Sequence, residues 1–130
     1  MISSLVSRSS ALVLLAAGLA LLFAPDAIMP RLDPAFPPSA AWIAQLLAAA
    51  WIAVAIYTWS HRTQVLGGIY GRAVVYANFV LFFIGGLGLL GAARHGGASP
   101  ALWWVAVPML VFAVVYGALL FRGPFDQLRA

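Results

Sequence analysis

The chain has 130 residues, 65% of them hydrophobic and 8% charged, and its net charge of +4 comes from arginine with no lysine. A soluble domain carries about 25% charged residues, so this chain lacks a charged, water-facing surface, and its length allows one domain. Without Cys or Lys it has no disulfide framework, thiolate nucleophile, iron–sulfur ligand, Schiff base or P-loop lysine.

A hydrocarbon core of ~30 Å needs roughly 20 apolar residues of helix. Four segments qualify, and their apolar runs, about Ser9 to Ala24 in the first, contain no charged residue. The fold expected is all-α, an integral membrane bundle of four antiparallel transmembrane helices in a single domain. The first helix is expected over about 9–28, ended or kinked by Pro25-Asp26. Arg8, an apolar run and small residues near Pro25 also resemble a signal peptide; a retained membrane anchor is the expectation. Pro30, Pro34, Pro37 and Pro38 make the next stretch an irregular loop, because each lacks a backbone donor. Ser39 is the expected N-cap of a second helix over about 41–59.

The third helix is expected over about 73–93. Gly96, Gly97 and Pro100 make a tight connection to the fourth, over about 101–121, which Pro108 kinks. Arg122-Gly123-Pro124 stops the fourth helix before a short polar tail. Trp42, Trp59, Trp103 and Trp104 fall at span ends, as interfacial belts do. Trp51 falls mid-span and is expected to pack on a helix or a lipid tail. Arg8, Arg62, Arg72, Arg122 and Arg129 lie on one side, and Arg31 and Arg94 on the other. The arginine bias predicts that both termini are cytoplasmic.

The stretch LGGIYGR (Leu66–Arg72) reads as the cytoplasmic turn into the third helix. Its G-G-x-x-G spacing is neither a dinucleotide fingerprint nor a Walker loop. A sharper reading has Gly67, Gly68 and Gly71 offer amides to a lipid phosphate, with Arg72 and Arg62 as charged donors. Tyr57, Tyr76, Asn78 and Tyr116 all fall in the inner half of the membrane. They form either interhelical hydrogen bonds, with a tyrosine hydroxyl serving Asn78, or the lining of a ligand pocket.

Small residues suggest helix-packing or interaction faces. These are Gly18 with Ala16, Ala17 and Ala20 on the first helix, and Gly85, Gly86, Gly88 and Gly91 on the third. On the second, Ala41, Gln45, Ala49, Ala53 and Tyr57 form a stripe at i+4 spacing. His61 and His95 fall at opposite membrane faces and do not pair as haem ligands, so no metal site is expected. Asp26, Arg31, Asp33, Arg94 and His95 are expected to form a loop salt bridge. No Asp, Glu, Lys or Arg lies within an apolar run, which disfavours ion-coupled transport. No nucleophile–base pair is recognisable, so no catalytic residue is nominated.

Two stretches carry a family resemblance: GLALLFAPDAI (Gly18–Ile28) and TWSHRTQVLGGIYGRAVVYANFV (Thr58–Val80). The chain resembles small bacterial four-helix membrane proteins of the broad DoxX-like kind. Such proteins run a first helix into Phe-x-Pro-Asp, leave the second through Trp-x-x-x-Arg, and enter an Asn-bearing third through G-G-I-Y-G-R. The resemblance implies a compact bundle in the bacterial inner membrane. It carries over no catalytic residue, and the link of such proteins to redox partners finds no Cys here.

Three functional expectations follow. The first is a non-catalytic accessory or structural subunit, with membrane lipids, other integral membrane proteins or its own copies as partners, and no nucleic acid. The second is a binder or carrier of a small hydrophobic molecule, such as a lipid or quinone. Its pocket would lie in the cytoplasmic half, lined by Tyr57, Tyr76, Asn78 and Tyr116 with Arg72 at the mouth. The third is a membrane enzyme on lipid-like substrates, using Asn78, His61 or Arg72. No cofactor is expected beyond a bound lipid or quinone.

Overall fold

The computed structural model describes residues 2–63, 68–96 and 98–122. Its helices are α1 (Ile2–Phe23), α2 (Pro25–Leu32), α3 (Ala41–Ser60), α4 (Gly68–Arg94) and α5 (Trp103–Arg122). Four stretches are long and apolar enough to cross a membrane: Ile2–Phe23, Pro38–Ser60, Gly71–Arg94 and Pro100–Arg122. They pack antiparallel as two close pairs, α1 against α3 and α4 against α5.

The first helix begins at Ile2, well before Ser9. Ser3, Ser7 and Ser10 recur at i, i+4 and i+7, so they share one helix face, and all three are buried. Ser10 Oγ donates to the Ser7 carbonyl at 3.1 Å. The polar start ISSLVSRSS is therefore the inward face of a helix rather than a preceding loop.

The proline-rich loop needs a correction too. Pro25–Leu32 is a short helix, α2, that contains Pro30. Pro25 occupies the first turn, where its fixed φ suits a helix and its missing N–H is no loss. The chain breaks from α1 at Ala24, and the Asp33 N–H closes α2 on the Met29 carbonyl. Ser39 does not cap α3. Pro38–Ala40 forms a 3₁₀ turn, Ala40 stands at the cap position, and no side chain caps it. The Ser99 N–H donates to the Leu32 carbonyl at 2.9 Å, tying the end of α2 to the α4–α5 connection.

Within each pair the helices approach through small residues. A Cβ on Gly18 would meet Ile52 Cγ1 at 2.8 Å and the Ala48 carbonyl oxygen at 3.1 Å. On the other pair, a Cβ on Gly86 would meet Leu110 Cδ2 at 2.9 Å, and one on Gly117 would meet Phe79 Cε2 at 3.1 Å. Such close approach is how membrane helices gain dispersion energy in a solvent as apolar as they are. The buried face of α3 is Ala44, Ala48, Trp51, Ala55 and Thr58. The stripe Gln45, Ala49 and Ala53 turns outward instead, all three being exposed. One residue turns a helix by about 100°, so two nearly identical small-residue stripes face different surroundings.

α4 starts at Gly68, so the segment from Gly68 to Arg72 is helix rather than turn. Leu66 and Gly67 lie outside the described residues, as do Gly97 and the tail with Asp126 and Arg129. After α4, Gly96 takes φ of +75°, a left-handed turn that a side chain would strain.

Candidate functional site

The two pairs meet differently at their two ends. At the end holding the N-terminus of α1, two buried hydrogen bonds join them. Asn78 Nδ2 on α4 donates to Thr58 Oγ1 on α3 at 2.7 Å, and also to the Val74 carbonyl at 2.9 Å. Tyr116 on α5 and Ser10 on α1 lie 2.6 Å apart, hydroxyl to hydroxyl. Ser10 has one O–H and spends it on Ser7, so the tyrosine O–H is the donor. Tyr116 stacks on Phe82, ring centroids 5.9 Å apart.

This polar clasp redistributes the residues singled out in the sequence. The partner of Asn78 is Thr58, not a tyrosine. Tyr116 and Asn78 are fully buried, whereas Tyr76 is 58% exposed. Tyr57 sits beside His61, ring centroids 4.8 Å apart. Gly71 is buried and Arg72 exposed in the first turns of α4. Arg62 turns onto Trp59, its guanidinium 4.7 Å from the ring centroid. A double-mutant cycle on Thr58→Val and Asn78→Leu should show a coupling of about 0.6 kcal/mol, and no more than about 1.7. Reversible unfolding in detergent measures it.

At the opposite end the pairs separate around a cleft of about 830 Å³. Leu21 on α1, Trp51 on α3, Leu81 on α4 and Met109 on α5 form its walls, with Ile28 and Met29 of α2 over it. Gly85 and Gly88 supply the space: the Cβ of Gly88 would meet nothing within 4 Å. Leu47 of α3 and Val80 and Ile84 of α4 line the cleft and are exposed. The cleft therefore reaches the lipid-facing surface between α3 and α4. Its side-chain lining is apolar except at Asp33. Asp33 stands at the α2 end, its Oδ1 accepting from the Ala35 N–H at 2.9 Å. Trp51 stands at mid-span, 8% exposed, and its indole N–H has no hydrogen-bond partner.

The cleft was not visible in the sequence. The serine register on α1 was the one available signal for Ser10. The outer charges do not pair as expected among the described residues: Asp33 turns to its own loop, and His95 Nδ1 donates to the Gly91 carbonyl at 2.6 Å. Among the described residues, no group of three His, Asp or Glu side chains is placed to hold a metal ion.

No family model, curated protein or solved structure matches this chain. The DoxX-like resemblance of the two sequence stretches thus stands without a matched relative, and the chain is a membrane protein with four candidate spans.

Proposed function

We propose that this protein binds a small lipophilic molecule in the cleft beneath α2. The ligand would have an apolar body to match the lining. The observation carrying this reading is the open cleft itself, walled almost wholly by apolar side chains from four helices, Leu21, Trp51, Leu81 and Met109 among them. The volume falls in the range of about 300–1,000 Å³ usual for small-molecule sites. A lipid or quinone, the second expectation from sequence, suits a cleft of this size and lining, although that expectation placed the pocket at the opposite end, among Tyr57, Tyr76, Asn78 and Tyr116, none of which lines the cleft. Access would be sideways from the bilayer, past Leu47 and Val80. With both termini cytoplasmic, by the arginine bias, the cleft would open to the outer leaflet of a bacterial inner membrane.

Native mass spectrometry of the full chain, extracted gently from its source membrane, tests this. One lipophile should travel with the wild type. Gly88→Phe should remove it, because the new ring enters open cleft space, while Gly91→Phe, outside the cleft, should retain it. A wild-type chain that travels empty, or a Gly88→Phe variant that retains the lipophile, overturns the reading.

A second reading, an accessory subunit, is favoured by one observation. Gln45 is exposed on the lipid-facing side of α3, in line with exposed Ala49 and Ala53. An amide at a helix–helix contact in lipid finds its partner on another helix. Travel with larger subunits in fixed ratio, lost in Gln45→Leu, would support that reading.

A further inference from the structure

A second site lies at the other end of the bundle, on the outside of the α1/α3 pair. A groove of about 270 Å³ runs between Ala11, Leu12 and Leu15 of α1 and Ala55, Ile56, Trp59 and Ser60 of α3. Arg8 precedes Ala11, Leu12 and Leu15 by three, four and seven residues, so it shares their helix face. It is exposed. Gly18 packs level with Ala48 and Ile52. Along antiparallel helices of equal rise, stepping from there back to Arg8 on α1 covers the same length as stepping forward to about Ser60 on α3. Arg8 and Arg62 therefore flank one end of the groove, one from each helix.

Arg62 is fixed in place. Its Nη1 donates to the Trp59 carbonyl at 2.8 Å and its guanidinium lies over the Trp59 ring, itself a wall of the groove. Its remaining N–H groups have no protein partner among the described residues. Arg8, Arg62, Arg72 and Arg122 all lie at this end, and no acid does among the described residues. The positive charge is thus uncompensated within the described chain. A guanidinium pair at the depth of an interfacial tryptophan, above an apolar groove, matches a phosphate with an attached acyl chain.

We infer that the α1/α3 groove binds one anionic phospholipid, its phosphate held by Arg8 and Arg62 and one acyl chain lying against Trp59. This site is separate from the cleft beneath α2 and stands or falls independently of it. The uncompensated arginines select a net-negative headgroup over a zwitterionic one, although both carry phosphate.

The test is native mass spectrometry of the detergent-solubilised full chain, titrated in turn with phosphatidylglycerol and phosphatidylcholine of matched acyl chains. One phosphatidylglycerol should be retained preferentially. The double substitution Arg8→Gln with Arg62→Gln should weaken retention by about tenfold or more, as loss of a charge-assisted contact does. Arg122→Gln, at the same end of the bundle on α5, should leave it unchanged. Circular dichroism of both variants should show wild-type helix content. Excess inorganic phosphate should not displace the lipid, because it has no chain for the groove. Equal retention of the two lipids, undiminished retention in the Arg8/Arg62 variant, or displacement by inorganic phosphate overturns the inference.

Discussion

Tyr116→Ala is expected to destabilise the bundle by about 2–3 kcal/mol, and Tyr116→Phe by well under 1. The difference follows from the solvent. In water, truncating a buried aromatic loses transfer energy and leaves a cavity. In a bilayer the separated helix already lies among hydrocarbon, so the transfer component largely drops out. The cavity component remains. A void on the order of 100 Å³ at about 24 cal/mol per Å³ costs about 2 kcal/mol. Tyr116 is fully buried and stacks on Phe82, so the wall of the void is stiff. The lost hydrogen bond to Ser10 adds about 0.6 kcal/mol, and Ser10 keeps its bond to the Ser7 carbonyl. Reversible unfolding of the full chain in mixed micelles should separate the two variants. Equal losses would mean that the hydroxyl, not the ring, carries the effect.

Gly18→Leu should cost about 1–3 kcal/mol by overpacking the α1/α3 contact. The Cβ alone would fall 2.8 Å from Ile52 Cγ1 and 3.1 Å from the Ala48 carbonyl oxygen. Ile52 can turn aside; the backbone at Ala48 cannot without separating the helices. Gly18→Ala should therefore cost less than Gly18→Leu, because its single methyl displaces only the Ile52 side chain and presses on the carbonyl. Gly88→Ala is the control, since nothing lies within 4 Å of its Cβ. It should change stability by no more than about 0.5 kcal/mol, as substitutions away from packed contacts do. The same micelle unfolding measures all three. A Gly18→Leu variant as stable as wild type would show that α1 and α3 slide apart freely.

The contrast between these glycines marks where sequence reading stopped. Gly18, Gly85, Gly86 and Gly88 look alike as small residues in apolar runs. Gly18 and Gly86 admit a neighbouring helix, Gly85 meets the Met109 side chain at 3.3 Å, and Gly88 opens the cleft. Their roles depend on which helix lies opposite. The same holds for Asn78: its need for a partner was legible, because a lone amide in hydrocarbon must be satisfied, but the choice of Thr58 over a tyrosine was not. Ser3, Ser7 and Ser10 stand at helical spacing in the sequence, yet the apolar run by itself starts the first helix only at about Ser9.

What the sequence by itself determined is the solvent and the number of crossings. Apolar runs of bilayer length, free of charge, have no other stable place for their backbone and side chains. Chain order with short connections also made neighbouring helices antiparallel. Only the tertiary structure decided which faces meet, because near-uniformly apolar helices carry little directional pattern. In water, the polar face of a helix announces its outside. In lipid, inside and outside are equally apolar, and the assignment passes to small-residue fit and a few hydrogen bonds. That is why the clasp at Thr58–Asn78 and Ser10–Tyr116, and the cleft that opens beyond it at Trp51, came into view only when the four helices were in place.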